Sequence, residues 1–285
     1  MKNKQSLKRK LAITTLATAF LLPTANAEEK TLELNLDHPF ATYDSRANLN
    51  DSANKLTNIA TDSFKLNENF AERVLESTIK TYASYLFGYM THEAGHDGKD
   101  TKFSSELESG TLLPKAKLKI KNFSSEKDKA RYFANGLNQN TYNAKTILEK
   151  TFLNNESPGI PYLANSLYLS RYNQKNITRE NGSRIINDLD GWTKALSKQG
   201  FNFSKSEIKK NAQFFALLNL QNWKTFYDEI NYITTGERPK SPLTFNIGNK
   251  KITPPSFSYY LGETAPFINA TSFIKSPERT YSISI

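Results

Sequence analysis

The chain has 285 residues, of which 38% are hydrophobic and 12% aromatic, and its formal net charge is +10. This length and apolar content suffice for one large domain, or two small ones, with a real core. The chain has no cysteine, which excludes a disulfide-held framework and leaves His, Asp and Glu as the ligands for any metal site.

Residues 1–27 have the pattern of a cleaved secretory signal. A basic start is followed by an apolar run from Leu11 to Leu22 and by small residues at Ala25 and Ala27. The apolar run is too short to span a bilayer comfortably, since a membrane helix needs about 20 residues, so cleavage is favoured over an uncleaved anchor. We therefore predict an exported protein, periplasmic or secreted.

The signal contains five positive charges, so the mature chain carries a net charge of only +5. Because no segment interleaves aromatic residues with clustered Lys and Arg, we predict no nucleic-acid partner. The run Lys115–Lys121, K-A-K-L-K-I-K, predicts a half-buried edge strand with a lysine face. A peripheral envelope contact, with these lysines on an anionic membrane surface, is the alternative.

Residues 28–66 form a predicted N-terminal arm, irregular apart from the alternating run Thr31–Leu36. It is either an ordered arm or a pro-segment that shields the rest of the chain. From about residue 67 the pattern becomes helical, with apolar residues recurring at spacings of three and four from Phe70 to Met90. This predicts a long amphipathic helix through His96, ended by Gly98.

We assign residues 67–239 to a helical domain and residues 240–285 to a β-rich C-terminal segment. Further helix signals are a stop at Gly136, a helix over 183–199, a capping box at Ser204 and Glu207, and a stop at Gly236. A hairpin turning at Gly248-Asn249 and three later strand-like runs follow. The predicted class is α+β, a mostly helical body with a β-rich C-terminal tail.

The segment His92–His96, H-E-A-G-H, contains two of the three histidines in the chain. On a helix, residues i and i+4 lie on one face, so both imidazoles can reach one Zn²⁺. Glu93 is one step round the helix, where it can act as general base toward a water whose pKa the zinc lowers. Two ordinary surface histidines are the competing interpretation.

This segment resembles the H-E-x-x-H zinc metallopeptidases (zincins), and in particular the motif of several membrane-linked bacterial metallopeptidases. The resemblance covers the motif and its helix, and implies His92 and His96 as zinc ligands and Glu93 as the catalytic base. The metzincin extension is absent, because Gly98 follows His96 by only two residues and no later histidine exists.

The third ligand is not fixed by the motif. Asp190 in L-D-G is similar to the ligand motif of site-2 proteases, and it is the predicted third metal ligand, with Asp188 beside it. Glu149 and Glu156 are further candidates on spacing alone, whereas His38 would require the N-terminal arm to fold back and is otherwise a surface histidine. Asp97 is a candidate for a supporting contact to a ligand. A tyrosine is a common oxyanion stabiliser, and the candidates are Tyr142, Tyr162, Tyr168 and Tyr172.

These patterns predict an exported zinc-dependent peptidase that acts on a peptide or protein substrate through a zinc-bound water. The alternative is a non-enzymatic, envelope-associated binding or structural protein, with or without a structural metal. A degenerate peptidase that keeps zinc without hydrolysis is a third interpretation. Substrate preference and oligomeric state remain open.

Overall fold

The computed structural model describes residues 42–64, 66–96, 101–107, 114–120, 123–173, 177–178, 184–277 and 279–285. The predicted signal at 1–27, the run Thr31–Leu36, His38, Asp97 and Gly98 lie outside the described residues. Among the described residues, no helix combines the length and the apolar character needed to cross a membrane.

Helices form most of the described chain. Their bounds are α1 Tyr43–Ser63, α2 Phe70–Gly95, α3 Glu126–Asn154, α4 Gly159–Ser166, α5 Tyr168–Arg171, α6 Asp188–Lys198, α7 Lys205–Leu218 and α8 Leu220–Thr235. The capping box at the start of α7 and the left-handed glycine Gly236 at the end of α8 are present as predicted.

The strands form two small hairpins and one C-terminal sheet. Their bounds are β1 Thr101–Leu107, β2 Pro114–Ile120, β3 Ile177–Thr178, β4 Arg184–Ile185, β5 Phe245–Ile247, β6 Lys250–Ile252, β7 Ser256–Leu261, β8 Pro266–Lys275 and β9 Thr280–Ser284. In the sheet β8 pairs antiparallel with β6, β7 and β9, and β5 pairs with β6. The predicted α+β class, a helical body with a β-rich tail, is confirmed.

Helix α1 lies in the stretch that the sequence assigned to an N-terminal arm. Thr42 caps it, and it packs on α2 and α3 as part of the helical body. Its buried face is polar: Asn54 accepts a hydrogen bond from Ser84 of α2, and Arg46 donates one to Gln139 of α3. A helix held by buried polar side chains shows no apolar periodicity, which is why sequence analysis treated the stretch as irregular.

Helix α2 was located correctly, but its apolar stripe does not face the core. Phe70 and Tyr82 of that stripe are exposed, whereas the buried face carries small and polar residues, among them Ala83, His92 and Gly95. Small residues let a neighbouring helix approach closely. As a consequence, the two histidines of the motif point into the body of the protein.

Helix α3 runs unbroken through Gly136, where the sequence predicted a stop. A Cβ on Gly136 would lie 2.4 Å from His96 Nε2 and 3.0 Å from His92 Cε1, so only glycine leaves room for both imidazoles. A Cβ on Gly95 would lie 2.8 Å from the backbone oxygen of Asn135. Gly136 is therefore required by the close crossing of α2 and α3, and it does not end α3.

The apolar core lies between α3, α6, α7 and β7. Trp192 is fully buried there, together with Leu137, Leu189 and Leu196, and its indole N–H donates to the Gly262 carbonyl at 2.8 Å. Because α6 is fixed by this core, its first residue is held against the end of α2.

The crossing of α2 and α3 gives a stability prediction. We expect Gly95→Ala to lower the free energy of unfolding by about 1–3 kcal/mol, because the new methyl group meets backbone that cannot move aside. Gly88→Ala on the same helix is the matched control. Its Cβ would lie 3.4 Å from Asn140 and Asn165, which is ordinary contact, so helix propensity should make it neutral or stabilising by about 1 kcal/mol. Urea unfolding measures both, and equal effects would contradict the packing argument.

Candidate metal centre

Two histidines and one aspartate come together at the end of α2. The ligand-type atoms of His92, His96 and Asp188 all lie within 4.8 Å of one another. The three side chains are buried, with residue exposures of 0%, 2% and 9%. His92 is in the last turn of α2, His96 caps that helix, and Asp188 is the first residue of α6.

The hydrogen bonds of α3 fix the tautomer of His92. Its Nδ1 lies 3.0 Å from Asn140 Oδ1. The Asn140 amide nitrogen donates to the Gly88 carbonyl at 3.1 Å and to Asn165 Oδ1 at 3.2 Å, so the amide oxygen must face the imidazole. His92 therefore donates from Nδ1, and its Nε2 is directed at Asp188 Oδ2, 2.7 Å away.

His96 has the same orientation for a different reason. Its Nδ1 lies 2.7 Å from the backbone oxygen of Tyr132, which can only accept a hydrogen bond. Nδ1 must carry the proton, which leaves Nε2 facing Asp188 Oδ1 at 3.3 Å. Two imidazoles thus present their Nε2 atoms to one carboxylate.

Asp188 is held as a carboxylate by its surroundings. The Tyr172 hydroxyl donates to Oδ2 and accepts from the Asp188 backbone N–H, both at 3.0 Å, and the N-terminus of α6 favours negative charge. Burial by itself would raise the pKa of Asp188, but His96 and His92 hold that pKa well below its usual range. Burial likewise opposes protonation of His96, yet the Asp188 charge prevails and raises the pKa of His96 to about 9.

The arrangement fits a divalent metal such as Zn²⁺. A metal-binding histidine usually donates its second ring nitrogen to a carbonyl or amide oxygen, as both histidines do here through Asn140 and Tyr132. Tetrahedral zinc with ligands at 2.0–2.1 Å separates neighbouring ligand atoms by about 3.3 Å. In the metal-free structure the two imidazoles contact different oxygens of the carboxylate, His96 Nε2 lying 3.3 Å from Oδ1 and His92 Nε2 2.7 Å from Oδ2, so the side chains must shift for all three to ligate one zinc ion. Two nitrogens and one carboxylate oxygen would then leave a fourth position for water.

Glu93 lies beside this group without belonging to it. It is half-buried, accepts a hydrogen bond from the Tyr89 hydroxyl, and is close enough for its charge to raise the pKa values of Tyr132 and Tyr168. Glu93 is thus partly accessible, and it lies close enough to His96 for its charge to raise the pKa of that histidine.

Tyrosines line the rest of the site. The rings of Tyr168 and Tyr172 have centroids 5.1 and 6.3 Å from that of His92. The other two tyrosine candidates lie elsewhere: Tyr142 donates to Asp44, and Tyr162 bonds to Asn219. Sequence reasoning missed Asn140 because it ended a helix at Gly136, whereas α3 continues through both residues, and it missed Tyr132 because only the backbone oxygen accepts the hydrogen bond.

Asp190, the predicted third ligand, is not brought to the histidines. Its carboxylate accepts from the Asn187 side chain and lies 3.3 Å from Lys205 Nζ. Residues two apart on a helix face different directions, so α6 presents either Asp188 or Asp190 to α2, and the core fixes the choice as Asp188. Glu149 and Glu156 do not join the histidine group among the described residues.

The contrast between Asp188 and Asp190 gives a direct test. We expect residues 28–285 to bind about one Zn²⁺ per chain, and Asp188→Asn or His96→Ala to weaken zinc binding by more than about 100-fold, since even outer contacts to a ligand matter about 10–100-fold. Asp190→Asn is the matched control and should bind zinc like the parent chain. Elemental analysis and chelator competition measure this, and the reverse result for the two aspartates would refute the assignment.

Zinc binding should depend on pH. Because the pKa of His96 is about 9 without metal, zinc must displace a proton at any lower pH. We expect the apparent affinity to rise by about tenfold per pH unit from pH 6 toward pH 9. Competition titrations at several pH values, corrected for the chelator, would show it. An affinity that is flat over this range would mean that the imidazole is already neutral.

Comparison of the chain with known proteins provides no further guide to this site. No protein-family model matches, and neither a curated protein nor a solved structure does. What can be said of function therefore rests on the residues and their geometry.

Proposed function

We propose that this protein is an exported zinc-dependent peptidase with His92, His96 and Asp188 as ligands and Glu93 as general base. One observation carries the proposal: both imidazoles have fixed Nδ1–H donors and turn their Nε2 atoms to the same buried carboxylate. Glu93 follows His92 on α2, and its charge acts on His96, which supports the role of general base that the resemblance to H-E-x-x-H metallopeptidases implies.

When bound, zinc would lower the pKa of a coordinated water and polarise the substrate carbonyl. The protein supplies the remaining functions. Glu93 takes up the proton of the attacking water, and Tyr89 orients the Glu93 carboxylate by hydrogen bonding. Tyr168, whose pKa is raised well above the ordinary value by burial and by Asp188 and Glu93, stays protonated and can donate to a developing oxyanion.

A structural, non-enzymatic role is the second candidate. It is favoured by the burial of all three ligands, and by the direct pairing of His92 with Asp188, which satisfies both groups without a metal. In that case the cluster would fix the end of α2 against α6, and Glu93 would have no chemical task. The structural role holds with or without a metal, so the two functions differ above all in what Glu93 does.

Export is part of the proposal and is supported by the signal pattern of residues 1–27. After export, the lysines of the Lys115–Lys121 run would give the protein a peripheral contact with the anionic surface of the cell envelope. The substrate is a peptide or protein.

Glu93→Gln separates the two functions. We expect it to lower the rate of peptide hydrolysis by about 10²–10⁴-fold, because the amide cannot take up a proton, while zinc content and the urea unfolding midpoint stay unchanged. Hydrolysis is measured as release of new amino termini from a denatured protein substrate. Glu149→Gln, on α3 and outside the zinc group, is the matched control and should keep full activity. A zinc-loaded parent chain that hydrolyses no substrate would refute the peptidase function and leave the structural role as the remaining candidate.

A further inference from the structure

A cavity of about 590 Å³ lies beside the candidate metal centre, and the hydrolysis proposed above assigns it no role. Its lining is largely apolar and aromatic, and includes Tyr85, Leu163, Phe226 and Ile230. Tyr85, Phe226 and Ile230 remain 54%, 54% and 47% exposed, so the cavity opens to solvent. Its size is within the range of about 300–1,000 Å³ that is usual for ligand sites.

The cavity and the metal centre share a wall. Tyr168 and Tyr172 line the cavity, and the rings of the same two tyrosines also lie close to the His92 ring. Burial raises the pKa of Tyr168 most, and the nearby charges of Asp188 and Glu93 and the neighbouring Tyr85 raise that pKa further. Tyr168 is therefore at the junction of the cavity and the site.

One face of helix α2 runs continuously from the cavity to Glu93. Ser77, Thr81 and Tyr85 line the cavity, and the same row of residues at steps of four continues through Tyr89 to Glu93. Tyr85 and Glu93 are separated by about 12 Å, because a helix rises about 1.5 Å per residue. An extended peptide covers that distance in about four residues.

The cavity wall also contains polar groups without a partner. The Ser77 hydroxyl is buried, with a residue exposure of 8%, and has no hydrogen-bond partner in the described structure. Buried polar atoms are normally satisfied, so this hydroxyl is free to bond to a group that enters the cavity. Arg171 at the rim is exposed, and its guanidinium forms no hydrogen bond or ion pair with a described residue, which leaves it for a carbonyl or carboxylate.

From these observations we infer that the cavity is the specificity pocket of the proposed peptidase. Its occupant is an extended polypeptide whose bulky apolar side chain, within about four residues of the cleaved bond, enters the cavity. The peptide backbone bonds to Ser77, and Arg171 binds an anionic or carbonyl group at the rim. This inference rests on the proposed function and adds its substrate class, peptides with Leu, Ile, Phe or Tyr near the bond.

The test is a cleavage profile of the zinc-loaded chain on a proteome-derived peptide library, read by mass spectrometry. We expect Leu, Ile, Phe and Tyr to be enriched at a position within four residues on one side of the bond. Synthetic peptides with Leu or Phe there should have kcat/KM about 10- to 100-fold above the Ser peptide, as burial of such a side chain implies.

Three variants tie the preference to the cavity. Ala164→Trp fills it, and Phe226→Ala removes part of its wall, so both should reduce the apolar preference to less than about threefold while zinc content stays unchanged. Tyr227→Ala is the matched control, since Tyr227 is the exposed neighbour of Phe226 and lies outside the cavity. It should keep the parent profile.

The outcomes separate the inference from the function on which it rests. Cleavage without apolar preference, or a preference that survives in Ala164→Trp, overturns the specificity pocket and leaves the peptidase proposal standing. No cleavage of any peptide by the zinc-loaded chain overturns both. Loss of the preference in Ala164→Trp and Phe226→Ala, with the Tyr227→Ala profile unchanged, supports the pocket.

Discussion

The burial of the Asp188 carboxylate is the constraint on which the arrangement of the helical body depends. A buried charge is costly unless it is paired and hydrogen-bonded. Here the N-terminus of α6, the Tyr172 hydroxyl and two imidazoles together satisfy it. The carboxylate thereby joins the start of α6 to the end of α2, and the same contacts bring together a ligand set that a metal could use.

Around this charge the helical body contains a set of buried amide and hydroxyl contacts in addition to its apolar core. Asn140, Asn143 and Asn165 are all buried, and they form a connected network that reaches Thr91 and His92 of α2. Such a network specifies one arrangement, because each member fixes the orientation of the next. The tautomer of His92 is one result, so the packing of the body and the chemistry of the site share the same hydrogen bonds.

The polar interior also explains the exposed apolar surface. Since the buried faces of α1 and α2 carry small and polar residues, the large side chains of α2 are left on the other side. Some of that surface, around Tyr85, lines the cavity beside the metal centre. Large apolar side chains of α2 therefore lie at the cavity and at the surface, and its polar side chains form the contacts with α1 and α3.

The sequence by itself determined that a long helix ends in H-E-A-G-H, that α7 begins at the Ser204 capping box and α8 ends at Gly236, and that the tail forms strands. These features depend on local spacing and on single residues such as Ser204, Gly236 and Gly248. In the site, spacing alone gave His92, His96 and the neighbouring Glu93, because one helical turn brings the two histidines together.

Only the tertiary structure decided the rest. The choice of Asp188 over Asp190 depends on how the core around Trp192 rotates α6, and no local pattern records that rotation. The roles of Gly136 and Asn140 depend on the approach of α3 to α2. Long-range packing between segments distant in the sequence sets these positions, whereas periodicity and capping report only on neighbours along the chain.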